Sequence, residues 1–523
     1  MLTYDDLPHE LNVATWFVDR NLEEGRGDRR ALIVGGATTT YAELAGLVNR
    51  AGNVLRELGL RQGERVLLAL NDGVEFVAIW YGAQKIGAIT AEVYTYLQPK
   101  DYAYFLGYTQ ARIVVVDRVT LDMVREAADG HDVTLLVVGV PPDELRAGER
   151  SFDQLMSTAP DDLAAAPTTR DDVTIWKFTT GSTGEPKACV HPTHSPVLSF
   201  ESYARGVLDI GPDDVVLPVP KLFFGYARDL TALYPFGVGG TGIAFPERTT
   251  AERIFELIAR HRPTILVNVP TMMSAMVAHP AASDQDLSCL RLCTSAGEAL
   301  PAGLHSKWIE TFGVEVVDGI GSSEAYHIYI SNRPGRGRPG TVGEVVPGYS
   351  ARVVNDAGEQ VPDGEIGTLE VTGPTVALEY YGAPEKTART FHGDTLRSED
   401  LFVRDPDGFF SYRGRADDLL KVGGVWVAPS EIEHCLIGHP AVVECAVVGH
   451  LDAAGLVRPR AYVVPRGEGS AELETALQQY VRGELAPYKV PRDVRFVSEL
   501  PKTANGKLDR RALQVIEEKG VPA

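Results

Sequence analysis

Apolar positions near the start of the chain follow two rhythms. Across positions 40–60 they recur at Leu44, Val48, Ala51 and Leu55, the spacing of one helix face, and Thr40 with Glu43 forms a capping box. Positions 65–70 are instead a short run, apolar after Arg65 and suited to a buried strand. The helical rhythm returns over 74–86, and a second buried run follows at 111–117. Strands alternating with helices predict a layered α/β architecture with a largely parallel sheet, whose strand order this pattern leaves open.

From Gly364 the pattern opens. Positions 366–372 and 408–413 look like strands of a more open β region, and the small and charged residues of 414–418 interrupt it. A helix is expected from Ser430, strands at 442–448 and 459–464, and a helix at 471–485, making a compact unit of about a hundred residues after position 417. Internal repeats and low-complexity tracts are not seen.

Composition changes this picture little. A chain of 523 residues, 44% hydrophobic and 23% charged, has the balance of a soluble enzyme built of several units. The formal net charge of −21 argues against nucleic acid or an anionic membrane as partner, so any phosphate site must be assembled locally from backbone N–H groups and a few cations. Cys189, Cys289, Cys293, Cys435 and Cys445 are scattered; the pair Cys289 and Cys293 has the spacing of one helical face, but nothing nearby completes a metal set. They are expected to be buried thiols, which fits a reducing, cytoplasmic setting. The opening MLTYDDLPHE lacks a basic region followed by an apolar run, and no apolar run reaches membrane-spanning length.

Chemistry enters at 173–187. A buried strand over 173–178 runs into Thr179, Thr180, Gly181, Ser182, Thr183, Gly184, Glu185, Pro186 and Lys187. The glycines let the backbone approach a ligand closely, successive N–H groups can converge on phosphate oxygens, and Lys187 adds a point charge. A generic loop of this composition is read as polar surface; the Pro-Lys ending after a buried strand favours a phosphate cradle. It is not a Walker loop.

Segment 180–187 resembles the signature of the adenylate-forming superfamily of acyl-CoA synthetases, peptide-synthetase adenylation domains and luciferases. Further resemblances lie in order along nearly the whole chain. Ser295 to Leu300, with Gly297, Glu298 and Ala299, is similar to that family's adenine-side loop. Asp318, Gly319, Ile320, Gly321, Ser322, Ser323 and Glu324 resemble its Tyr-Gly-x-Thr-Glu segment. Asp400 matches a ribose-binding aspartate, 414–421 the hinge, and 501–507 the terminal lysine motif.

The resemblance implies an α/β fold: a large N-terminal domain of layered α/β subdomains plus a β region over 1–414, a hinge at 415–417, and a small mobile α+β C-terminal domain over 418–523. It implies ATP and Mg2+, with Glu324 as metal ligand, Asp400 and Arg415 on the ribose, and Lys507 bridging carboxylate, α-phosphate and ribose. It also implies a second half-reaction, reached by rotation about Asp417. Gly423, Gly424 and Trp426 would then line the path of a pantetheine thiol, carried by coenzyme A or by an acyl carrier protein. From spacing alone, Gly423 and Gly424 are equally a simple turn before a strand at 425–428.

The acid side is narrower. Lys221, Leu222, Phe223, Phe224, Gly225 and Tyr226 resemble the benzoate-CoA ligase branch, as do 318–328 and 331–335. That branch implies that Phe224, Gly225, Tyr226, Ala227, His327, Ile328 and Lys421 bind a flat aromatic carboxylate. Taken singly, Tyr226 is a core aromatic and His327 a structural histidine. The chain departs from the branch where it commonly runs Gly-Leu-Gly: here stand Ala227, Arg228 and Asp229, read either as a surface ion pair or as a modifier of ring tolerance. Tyr94, Ala188 and Glu399 also depart, the last where a glycine usually precedes the ribose aspartate. These departures bear on which acid is used and remove no group the reaction needs. Cinnamate-type or short aliphatic acids, a luciferase-like oxidative use of the adenylate, and a non-catalytic nucleotide binder are the competing expectations.

Overall fold

Two mostly parallel sheets share one core. The computed structural model describes residues 2–179, 185–415, 420–422, 425–452, 456–502, 508–510 and 512–513. Among them, one sheet has seven strands in the order Arg150–Ser151, Thr134–Val137, Ile113–Val116, Arg65–Ala69, Ile89–Glu92, Val173–Thr179 and Lys187–Pro192, all parallel except the last. A nine-stranded sheet is parallel from Val316–Gly321 through Leu292–Ser295, Ile265–Asn268, Val215–Pro218 and Thr241–Ala244 to Arg30–Val34, with antiparallel strands added at both edges. Strands covered on both faces need continuous apolar runs, which is why Arg65–Ala69 and Ile113–Val116 carry no alternation.

Helices Tyr41–Glu57 and Val74–Lys85 pack together in the core that the two sheets share. The first begins as expected: the Glu43 N–H donates to Thr40 Oγ1 at 3.2 Å, and the Thr40 N–H donates to the Glu43 carboxylate at 2.8 Å. Two of the four orphan donors at this end are thereby satisfied.

An antiparallel sheet of five strands follows, with its own core built on Val353, Leu369, Val371, Phe402 and Phe410. Its first strand, Ser350–Val354, precedes the point where the sequence pattern opens, and Phe410–Arg415 runs later than expected. Gly408 takes a positive φ of 91° in a turn, so the ladder starts at Phe410 and carries Gly414 and Arg415 as strand rather than as an interruption.

A smaller β-rich C-terminal domain packs helices Pro429–Ile437 and Ala471–Glu484 on a sheet of Val442–Leu451, Val457–Pro465 and Asp493–Phe496. Cysteine corrects one expectation. Cys293 lies on the strand Leu292–Ser295 and not on a helix shared with Cys289, and only Cys189, Cys293 and Cys445 are fully buried. No described helix is long and apolar enough to cross a membrane.

Candidate active site

Candidates Thr179, Tyr226, Gly297 and Glu324 lie at or just beyond the C-terminal ends of the parallel strands Val173–Thr179, Val215–Pro218, Leu292–Ser295 and Val316–Gly321, the usual place for ligands in such sheets. Strands Val173–Thr179 and Lys187–Pro192 pair antiparallel with Thr179 opposite Lys187, so both ends of the glycine-rich segment are held side by side. Thr180, Gly181, Ser182, Thr183 and Gly184 lie outside the described residues. At the far side of the loop, Lys187 Nζ donates to the Glu185 carbonyl at 3.3 Å. Tyr104 Oη donates to the Pro186 carbonyl at 2.6 Å, and the Ala188 N–H donates to Tyr108 Oη at 3.1 Å.

From that strand two bonds reach the segment 323–327. Ser323 Oγ donates to the Phe178 carbonyl at 3.2 Å, and Lys177 Nζ donates to the Tyr326 carbonyl at 2.6 Å. Tyr326 has φ 71° and ψ −55°, and the His327 N–H donates back to the Ala325 carbonyl at 2.9 Å. This is the rarer form of γ-turn, which in a bulky residue stores about 1–3 kcal/mol of backbone strain. The turn separates Glu324 from His327. On one side, Tyr380 Oη donates to Glu324 Oε1 at 2.8 Å and the Ala377 N–H donates to the Glu324 carbonyl at 2.8 Å.

On the other side, His327 is 4% exposed and ringed by aromatics: Tyr203, Tyr226 and Tyr234 stand 5.4, 5.6 and 5.0 Å from its centroid. Its Nε2 faces the Tyr226 carbonyl at 3.4 Å, while Nδ1 has no partner among the described residues. Burial, with the Lys177 charge adding to it, pushes the imidazole down to about 3, so it is neutral at physiological pH. Tyr226 shares a hydrogen bond of 2.6 Å with Thr294 Oγ1 and meets Phe224 edge-on at 6.1 Å. Ala227 and Ile328 are buried beside it. A Cβ at Gly225 would sit 2.9 Å from Lys177 Nζ, so glycine is what lets this segment lie on the lysine.

Arg228 and Asp229 are not at the surface. They are 1% and 0% exposed and belong to a buried charge network. Lys177 Nζ donates to Asp229 Oδ2 at 2.6 Å and lies 3.5 Å from the Tyr326 ring centroid, while Arg228 donates twice to Asp229 Oδ1 and pairs with Glu92 at 2.8 Å. Trp80 Nε1 donates to the other Glu92 oxygen. Two cations and two anions cancel here, as a desolvated cluster requires. Burial would raise Asp229, but Arg228 and Lys177 hold it below its usual range. Burial pushes Lys177 down to about 8, against the pull of Asp229.

The adenine-side segment abuts the acid segment. Gly297 takes φ 86°, and a Cβ there would lie 3.7 Å from Phe224 Cζ. Glu298 Oε2 accepts the Thr271 N–H at 3.0 Å and Thr271 Oγ1 at 2.7 Å, at the start of helix Pro270–Ala278. Ala299 is half-buried beside it. Gly319, Ile320 and Gly321 pair with strand Ile328–Ser331. Asp318 Oδ1 is buried with no partner among the described residues and lines a void of about 10 Å³ with Leu300 and Asn332; burial pushes this carboxyl up to about 8. Asp400 and Arg415 stand opposite each other in register, and Arg415 pairs with Glu399, the residue that replaces the expected glycine. Tyr329, whose hydroxyl is raised by burial first, feels the charges of both Asp400 and Glu324.

Asp417, Gly423, Gly424 and Lys507 lie outside the described residues, as do the side chains of Lys421 and Trp426; the backbones of those two form the hairpin Leu420–Val422 and Val425–Val427. The flanks of Lys507 are described. Lys502 bridges Leu508, Lys502 Nζ donates to Glu444 at 3.0 Å, and the Arg510 guanidinium donates to both Glu433 oxygens at 2.5 and 2.6 Å. No group of three or more His, Cys, Asp or Glu able to hold a metal occurs among the described residues.

Sequence reasoning missed Lys177, Glu92 and the Tyr326 turn. One signal was present: Lys177 is the lone charge in the strand Val173–Thr179.

Known proteins resemble this chain over nearly its whole length. The AMP-binding enzyme model matches residues 18–381, and the AMP-binding enzyme C-terminal domain model matches 431–507. A benzoate–CoA ligase of Thauera aromatica is 41% identical over 514 residues, 97% of this chain and 96% of that protein. A 4-hydroxybenzoate–CoA/benzoate–CoA ligase of Rhodopseudomonas palustris is 38% identical over 98% of this chain and 96% of its own length. Among solved structures, an anthranilate CoA ligase in complex with anthranoyl-AMP superposes with a TM-score of 0.96 at 37% identity, covering 100% of both chains.

Proposed function

The chain belongs to the AMP-binding enzyme family, and from that premise we propose that it activates an aromatic carboxylic acid as an acyl-adenylate and passes it to coenzyme A. The acid is benzoate or a benzoate with a small ring substituent. The observation that carries this reading is the Tyr326 turn, which sets the Glu324 carboxylate and the aromatic-ringed His327 on opposite sides within a few residues. A nucleotide phosphate and an aryl carboxylate meeting there would share one short path.

In the first half-reaction the carboxylate attacks the α-phosphate and pyrophosphate leaves. Phe224, Tyr226 and Ile328 hold the ring flat, and a neutral His327 avoids placing a second charge beside the substrate anion. Glu324, with one oxygen taken by Tyr380, presents a hard oxygen ligand suited to a nucleotide-borne Mg2+, which would neutralise charge as pyrophosphate departs. Asp400 and Arg415 bind the ribose, the orphaned Asp318 oxygen accepts the adenine amino group, and Glu298, with Oε2 held by Thr271, flanks the base. Lys187 follows the pyrophosphate. Lys507 holds the two anions together.

In the second half-reaction the C-terminal domain turns about Asp417, Lys507 withdraws, and Gly423, Gly424 and Trp426 line the pantetheine path. Benzoyl-CoA formed with one AMP per thioester is the expected product when enzyme, ATP, Mg2+, benzoate and coenzyme A are combined. Thioester appearing only on an acyl carrier protein would replace coenzyme A as acceptor. Aryl-adenylate that never reaches a thiol would refute the ligase reading.

A further inference from the structure

We propose that Lys177 is a positioning residue that clamps the Tyr326 turn, fixing Glu324 and His327 in one relation so that the nucleotide side and the acid side are set by a single buried group. The inference deepens the adenylation reading and rests on it.

The geometry is specific. All three partners of the ammonium are accounted for: the Asp229 carboxylate, the Tyr326 carbonyl and the face of the Tyr326 ring. The middle one is the central peptide of a strained turn. A turn with φ 71° at a tyrosine persists only where its surroundings over-determine it, and the lysine holds both its carbonyl and its side chain. Lys177 also sits two residues before Thr179, where the phosphate segment begins, and the adjacent Phe178 carbonyl takes the Ser323 hydroxyl. The strand that runs into the phosphate segment thus grips the segment 323–327 at two points. Asp229 aims the ammonium, and Arg228 with Glu92 balances Asp229. Gly225 completes the arrangement by leaving room for Nζ directly under the acid segment.

The groups facing Lys177 come from every element packed on it: Asp229 and Arg228 on helix Gly225–Ala232, Glu92 on strand Ile89–Glu92, His191 on strand Lys187–Pro192, and Tyr326 and His327 on the turn. Both histidines are held down to about 3 by burial, so Lys177 is the group here whose charge changes above neutrality.

The test compares full-length wild type with two double variants, in acid-dependent pyrophosphate exchange and thermal melting. Lys177→Met with Asp229→Leu removes both charges, leaves Arg228 paired with Glu92, and deletes the donor to Tyr326. Lys177→Gln with Asp229→Asn removes the charges but keeps a donor. The first variant is expected to melt near wild type yet show KM raised tenfold or more for benzoate and for MgATP together. The second should recover most of both. Wild-type KM values in the first variant would overturn the inference while leaving the adenylation reading intact; absent exchange by wild type would overturn both. Should the first variant fail to fold, Lys177→Leu with Asp229→Asn, which also deletes the donor to Tyr326, decides by the same two KM values: both raised together supports the clamp, and wild-type values overturn it.

Discussion

The two ends of the reaction are built from charges held in opposite ways. Around the proposed acid pocket, Lys177, Arg228, Asp229 and Glu92 are all under 10% exposed and pair with one another. Around the segment carrying Lys507, the pair Lys502–Glu444 has 41% and 36% of its side chains exposed, and Arg415–Glu399, beside the proposed hinge, has 30% and 46%. Buried pairs are costly to break because the survivor is stranded in low dielectric, whereas exposed pairs contribute little and exchange readily for water. A pocket that must recognise one ring suits the first kind. A C-terminal domain that turns between half-reactions, as proposed, suits the second. Arg510–Glu433, at 24% and 9%, lies between them and anchors the lysine segment within its own domain.

The sharpest way to break this comparison is Asp229→Ala. It strands Lys177 and leaves Arg228 with half its acceptors, so a loss of about 3–5 kcal/mol is expected in denaturant unfolding. A loss under about 1 kcal/mol would mean the network is not the desolvated cluster described. Next in size is Lys507→Ala, expected to slow adenylation about 10²–10³-fold while sparing thioester formation from supplied benzoyl-adenylate and leaving the melting temperature unmoved. Equal loss in both half-reactions would contradict a division of labour between the two regions.

A pH series sharpens the same contrast. His191 and His327 are held at about 3 by burial, against about 6.5 in an unfolded chain. Between those values the unfolded state binds more protons, so their contribution is present above pH 6.5 and is lost as pH falls toward 3. The melting temperature should fall through that window, and less steeply in His327→Gln; an unchanged slope would remove His327 from the account. The smallest effect is expected from Lys502→Ala, within about 1 kcal/mol in stability, since its partner Glu444 remains hydrated.

Local elements were legible because their causes are local. The capping box at Thr40 and Glu43 and the strand Ile366–Thr372 stand where the pattern puts them. Candidate residues on different strands do converge, since short motifs at strand ends are brought together by a parallel sheet. What the chain concealed was long-range. Lys177 meets Asp229 and Tyr326 across 52 and 149 positions, and no periodicity records such pairs. The positive φ of Tyr326 was hidden because the usual marker of that geometry is glycine. Arg228 and Asp229 offered a surface pair as the simpler account, since charged residues are rarely buried unless paired. Glu298 matched a motif by type, and nothing in that motif records that its Oε2 also satisfies a helix start 27 residues earlier.

The central claim, that a rigid aromatic-walled pocket selects the acid before the C-terminal domain acts, is tested most directly by acid-dependent ATP–pyrophosphate exchange across a panel of acids. Benzoate and its amino- and hydroxy-substituted forms should exceed cinnamate, hexanoate and longer aliphatic acids by at least tenfold in kcat/KM. Preference for an aliphatic acid, or no exchange with any aryl acid, would contradict it.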